Sequence, residues 1–152
     1  MYGQRTKKPK TDAVTELILE TFRLNGRLLE AGDKLVRDLG LTSARWQVLG
    51  GIEAATVPLP IAQVARNMGL SRQAVQRLAN EMERDGLVCF APNPHHVRAR
   101  LVLMTDHGQA AFRSAMAKQR RWAASLAEGF SSDSIESAAR VLRALRHKLE
   151  KD

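Results

Sequence analysis

Five polar side chains, Arg72, Gln73, Gln76, Arg77 and Asn80, recur along one side of a segment whose other side is Ala74, Val75, Leu78, Ala79 and Met82. That is the pattern of an amphipathic helix. An exposed helix face more often carries Glu and Lys pairs; this one carries arginine and amides. Arginine offers a donor fork that matches guanine edges and phosphate, and Gln or Asn matches adenine. Ser71, immediately before the run, is a natural helix cap, and the free N–H groups behind it suit a phosphate. A second basic group, Arg98 and Arg100, follows the stiff stretch Pro92-Asn93-Pro94. A basic finger of this kind can enter the narrow minor groove of a duplex, with His96 and Arg100 near phosphates. His95 and His96 lie in the same loop. As adjacent residues they point apart, and no further ligand lies at metal spacing, so neither metal nor cofactor is expected.

Other chemistries find little support. There is no Gly-rich phosphate loop, no His-Glu-x-x-His and no Gly-x-Ser-x-Gly, and the four histidines lack a nearby nucleophile or paired acid. No enzyme is expected. The one cysteine, Cys89, excludes an intramolecular disulfide and a thiolate zinc cage, and it suits a reducing cytoplasm. It falls on a predicted strand, where a small buried side chain is the expectation. A redox-sensing regulator working through Cys89 is the alternative.

The 152 residues, 44% apolar and 26% charged, fit one compact domain with an extension for pairing. No run approaches 18 uninterrupted apolar residues, so no membrane span is expected. The first ten residues carry Arg5, Lys7, Lys8 and Lys10 with no apolar core behind them, so they read as a disordered basic tail, not a secretory signal. The net charge is +8, and residues 61–105 hold six basic side chains against three acidic ones. Clustering of that kind points to a polyanionic partner.

Helical spacing predicts a first helix from Asp12 to Leu39, with a bend possible at Gly26 or Gly32. A second helix follows Thr42 or Ser43 and carries Trp46, Val48, Leu49 and Ile52. Pro58 and Pro60 leave at most one strand-like residue pair. A third helix runs from Ile61 to Met68, Gly69 turns the chain, and the fourth runs from Ser71 to Asp85. Leu87–Ala91 and Arg100–Met104 read as two strands of a hairpin. Thr105 caps a fifth helix. A sixth begins with a capping-box-like pair, Asp133 and Glu136. Its stripe Ile135, Ala138, Leu142, Leu145, Leu149 has the spacing of a helix that packs lengthwise on another. Two short helices joined at a glycine and followed by a hairpin outline a winged helix-turn-helix, mainly α with a small β-hairpin wing.

On these residues the chain resembles the MarR family of transcriptional regulators. Leu41-Thr42-x-x-x-Trp46-x-Val48-Leu49 is similar to the family's second helix. Ile61-Ala62-x-Val64-Ala65-x-x-Met68-Gly69-Leu70-Ser71-x-x-x-Val75-x-Arg77-Leu78 is similar to its helix-turn-helix. Met82-Glu83-x-x-Gly86-Leu87-Val88, Arg98-Ala99 and Met104-Thr105-x-x-Gly108 resemble the approach to the wing, the wing and its exit. The resemblance implies one domain over residues 11–152. Residues 41–105 would be the winged helix-turn-helix, and 11–40 with 106–152 would be dimerisation helices, through Leu17, Ile135, Leu142, Leu145 and Leu149. It implies a cytoplasmic homodimer, a repressor on a palindromic operator in double-stranded DNA, released by a small-molecule effector. Ser71, Arg72, Gln73, Gln76 and Arg77 would face the major groove, and Arg98 the minor groove. Where the family's wing reads Asp-x-Arg, this chain has His96-Val97-Arg98. Phe22 and Trp46 are candidate lining for an effector, although core packing is the commoner use of aromatics at helical spacing. A winged helix used only as a protein-interaction module is the remaining alternative; it would bind without regard to salt.

Overall fold

The computed structural model describes residues 7–151. The first six residues of the expected basic tail lie outside that range. The chain forms two compact units, Met1–Met116 and Ala117–Asp152. The first holds helices α1 (Lys10–Val36), α2 (Ser43–Ala54), α3 (Ile61–Met68) and α4 (Arg72–Arg84). It also holds strands β1 (Leu59–Pro60), β2 (Val88–Ala91) and β3 (Leu101–Met104) and the first part of α5 (Asp106–Ala127). The second holds the rest of α5 and α6 (Ser132–Leu149). No helix of the described residues is long and apolar enough to cross a membrane.

The first helix is unbroken to Val36 and then tightens into a 3-10 turn, Arg37–Leu39. Its glycines, Gly26 and Gly32, do not interrupt it. Gly32 is used for close packing instead: a Cβ there would collide with Ser43 Oγ. That hydroxyl donates to the Leu29 carbonyl at 2.8 Å, and the Ser43 amide donates to Asp33 Oδ1 at 2.7 Å. Thr42 caps α2 by accepting from the Arg45 amide. The start of α2 is thus bolted to α1 by two hydrogen bonds that need a side-chain-free position.

α3 and α4 are joined as a helix-turn-helix. Gly69, with φ of 67°, ends α3, and Ser71 Oγ accepts from the Ala74 amide to start α4. α4 buries Val75, Leu78, Ala79 and Met82, each no more than 7% exposed, in one core with Val48, Leu49 and Val64. Each of the larger side chains contributes roughly 1.5–3 kcal/mol by leaving water, which fixes the helix's rotation and so its outward face. The sheet is antiparallel in the order β1-β3-β2, with Leu59 opposite Val102 and Val88 opposite Met104.

The wing leaves and re-enters the core at one knot. Thr105 Oγ1 donates to the Gly86 carbonyl at 2.5 Å and accepts from the Gly108 amide at 3.0 Å, while the Thr105 amide donates to the Leu87 carbonyl at 3.1 Å. Gly108 is buried against that same carbonyl; a Cβ there would lie 2.9 Å from the Leu87 carbonyl carbon and closer still to its oxygen.

In α6 the expected Asp133–Glu136 capping box is corrected. Ser131 is the cap, accepting from the Ser134 amide at 3.2 Å, and Asp133 only sits in the first turn. A serine one position outside the helix fits the cap geometry, and the carboxylate is left to favour the dipole. No residue of α6 is buried; Ile135, Leu142 and Leu149 are exposed and Leu145 is half-buried. Leu17 of α1 is half-buried as well, whereas its neighbours Val14 and Ile18 are exposed.

Candidate nucleic-acid interface

The polar side of α4 and the wing face each other. Between them lies a groove of about 510 Å³ lined by Arg72, Gln76 and Asn80 from α4 and by His96, Arg98 and Arg100 from the wing. Gln73 and Arg77 lie on the adjoining outer surface of α4, which Arg72, Gln76, Asn80 and Arg84 also line. Of the residues singled out by sequence, Arg72, Gln76, His96, Arg98 and Arg100 therefore meet in one concavity. Gln73 and Arg77 flank it. Ser71 is occupied as the helix cap, yet its hydroxyl hydrogen remains free to donate to an anion.

The amide side chains are ordered before any ligand arrives. Gln76 Nε2 donates to Asn80 Oδ1 at 2.8 Å along one helical turn. The wing is folded on itself: Asn93 Nδ2 donates to the Ala99 carbonyl at 2.8 Å, and Asn93 Oδ1 accepts from the His95 amide at 3.0 Å. Those bonds hold the connection over residues 92–100 as a shaped loop, as expected for an asparagine between prolines.

The two wing arginines differ. Arg100 is turned back on the hairpin, its guanidinium 5.3 Å above the Phe90 ring and one nitrogen donating to the Phe90 carbonyl at 3.2 Å. The spacing of charges alone did not reveal this bracing role. Arg98 lies exposed beyond it at the end of the loop.

Sequence reasoning passed over two residues here, Arg84 and Glu83. Arg84 continues the i, i+4 row of Arg72, Gln76 and Asn80, a signal available in the sequence. Glu83 is an acid in a groove otherwise rich in arginine. Cys89 is corrected: it is exposed, not buried. Side chains alternate along β2, so the one following buried Val88 points to the opposite face of the sheet and meets solvent. Because its side chain is exposed, Cys89→Ser should leave thermal stability, DNA affinity and the response to oxidant as in the parent; a lost oxidant response would instead establish redox sensing. Phe22 is also exposed, at 72%, and Trp46 is half-buried against the core, so the core expectation holds only for the tryptophan. Neither lines the groove between α4 and the wing. Among the described residues, His95 and His96 belong to no cluster of three metal-ligating side chains.

The sequence model of the MarR family matches residues 39–99, which span α2 to the wing. An uncharacterized protein of Mycobacterium tuberculosis is 34% identical over 99 residues, 65% of this chain and 68% of its own length. The transcriptional activatory protein BadR of Rhodopseudomonas palustris is 33% identical over 102 residues, 66% of this chain and 58% of its own. Among solved structures, a cysteine-to-serine variant of E. coli MarR complexed with operator DNA shares the fold, with a TM-score of 0.78 at 18% identity, over 91% of this chain and 99% of that one. With its helix-turn-helix, wing and mainly helical frame, the chain belongs to the MarR family of transcription regulators.

Proposed function

We propose that this regulator binds double-stranded DNA sequence-specifically as a homodimer on a palindromic operator. The observation that carries the reading is the groove that gathers Arg72, Gln76 and Asn80 of α4 with His96, Arg98 and Arg100 of the wing. Its shape and donors suit a duplex edge: α4 enters the major groove and Arg98 the minor groove. The complex of the similarly folded E. coli protein with operator DNA supports a duplex as the partner.

Pairing is supported by apolar side chains that the single chain leaves in water, Ile18, Leu19, Phe22 and Leu24 on α1 and Ile135, Val141 and Leu142 on α6. Patches of that kind mark association surfaces. A two-fold dimer reads an inverted repeat whose half-sites lie about 34 Å apart. The working compartment is the cytoplasm. Repression is the proposed sign, through a dimer that occludes a promoter; an operator placed upstream would give the activation for which BadR is named. A small-molecule effector that prefers a different spacing of the two α4 helices would release DNA by linkage.

Selection of genomic fragments by the purified protein, followed by salt titration of the winning duplex, tests the reading. An inverted repeat bound with affinity that falls steeply with salt is the expected result. Salt-independent binding, or no enriched sequence, would favour a protein-interaction module. On the selected duplex, Arg98→Ala should weaken binding by about 1–3 kcal/mol, measured by fluorescence anisotropy. A change within error would remove the wing tip from the interface.

A further inference from the structure

Arg77 is the exposed arginine of α4 that is not free to wander. Its Nη1 donates to Glu81 Oε1 at 3.1 Å, one turn along the helix. An exposed pair of this kind is ordinarily weak, because both side chains can rotate away. Here the acid cannot. Its other oxygen, Oε2, faces Arg45 of α2 at 3.5 Å, and Arg45 is anchored in turn by Asp85 Oδ2 at 2.7 Å. The Arg45 and Glu81 side chains are only 20% and 27% exposed, while that of Arg77 is 67% exposed on the outer surface of α4. One carboxylate is therefore split between an inner arginine that fixes it and an outer arginine that it fixes.

We propose that Glu81, clamped by Arg45, is the positioning residue for Arg77 and makes that arginine a directional reader rather than a general phosphate contact. The proposal rests on the DNA-binding reading above. A guanidinium has five donors, and the bond to Glu81 uses one, so the rest of the fork stays available in a fixed orientation. The two arginines and two acids of the cluster also balance in charge. Arg77 thus contributes little of the counterion release that drives sequence-indifferent binding, and its contribution lies in hydrogen-bond direction. A plain staple onto α2 would need only the shorter Arg45–Asp85 pair; Glu81 is the acid that also reaches Arg77.

The test compares Glu81→Gln with the parent on the selected operator, on operators altered at one base pair per half-site, and on an unrelated duplex. Freed from its partner, Arg77 should act as an added phosphate contact. The salt slope on the unrelated duplex should steepen by about 0.9, and discrimination at the base pair Arg77 faces should fall by roughly tenfold. Both changes should vanish when Glu81→Gln is made in an Arg77→Ala background. Arg45→Lys, which keeps the charge and its pairing with Asp85 but loses the fork, should produce the same shift in weaker form and guards against a folding defect in the first variant. Effects of Glu81→Gln that persist without Arg77, or an unchanged slope and discrimination in both variants, would overturn the proposal. A parent protein that selects no duplex would overturn the DNA-binding reading itself, and this role with it.

Discussion

Gly108→Ala should destabilise the chain by on the order of 3 kcal/mol and loosen the wing from the core. The added methyl meets no yielding side chain. It meets the Leu87 backbone carbonyl, 2.9 Å from its carbon and nearer to its oxygen. That carbonyl already accepts from the Thr105 amide, so moving it breaks the bond that closes the hairpin. The Thr105 hydroxyl would lose its place between the Gly86 carbonyl and the Gly108 amide at the same time. Thermal unfolding at fixed protein concentration should show a midpoint lowered by roughly 6–12 °C. Gly50→Ala is the control: it lies inside α2 and its Cβ would rest 3.8 Å from Phe112, an ordinary contact. There the gain in helix propensity, about 1 kcal/mol, should raise the midpoint or leave it unchanged. A Gly108 variant as stable as the parent would mean that the Leu87 carbonyl can move without loss, and the wing base would not be the rigid element described here.

That glycine also shows what a sequence can and cannot disclose. The separation of Gly86 from Gly108 marked the wing, but the reason for it, a carbonyl seated where a side chain would be, is a contact between residues 21 apart. Local patterns were legible because their causes are local. The apolar face of α4, the Gly69 turn and the Ser71 cap follow from periodicity and from the hydrogen-bonding habits of single residue types. The grouping of Arg72 with Arg98 and Arg100 was partly legible, since one helix and one hairpin carry five of the six basic side chains of residues 61–105. What failed depended on which neighbour covers a side chain. Cys89 reads as core because strands usually bury one face, and it is exposed because it lies on the face opposite Val88, which no other element covers at that position. Arg45 carries no signal at all in its own helix; its importance arises from Glu81 and Asp85, which lie 36 and 40 residues away. Phe22 has the spacing of a core aromatic and is nonetheless 72% exposed in the single chain.

That last discrepancy bears on the second large effect. Leu142→Asp or Leu145→Asp should convert a dimer into monomers that sediment as the 16.9 kDa chain and bind the operator about 10²–10⁴-fold more weakly. The sequence placed both leucines on a stripe with lengthwise packing spacing, yet α6 buries none of its residues within the chain. Leu142, Ile135 and Leu149 stand in water, as do Ile18, Leu19 and Phe22 of α1. Large apolar side chains at core spacing without a core are explained most simply by a second copy that covers them. A carboxylate placed in such an interface must be desolvated without a partner, which opposes association strongly. In the separated chain the same substitution at the exposed Leu142 removes little buried surface, so helicity and cooperative melting should survive. The loss on DNA then follows from valency. On the proposed operator, one α4 and one wing would reach a single half-site, and only a paired molecule would hold a second α4 at the spacing of the next major groove. Dimers that persist with Asp at both positions would show that the stripe packs within one chain, and the pairing surface would have to be sought on α1 alone.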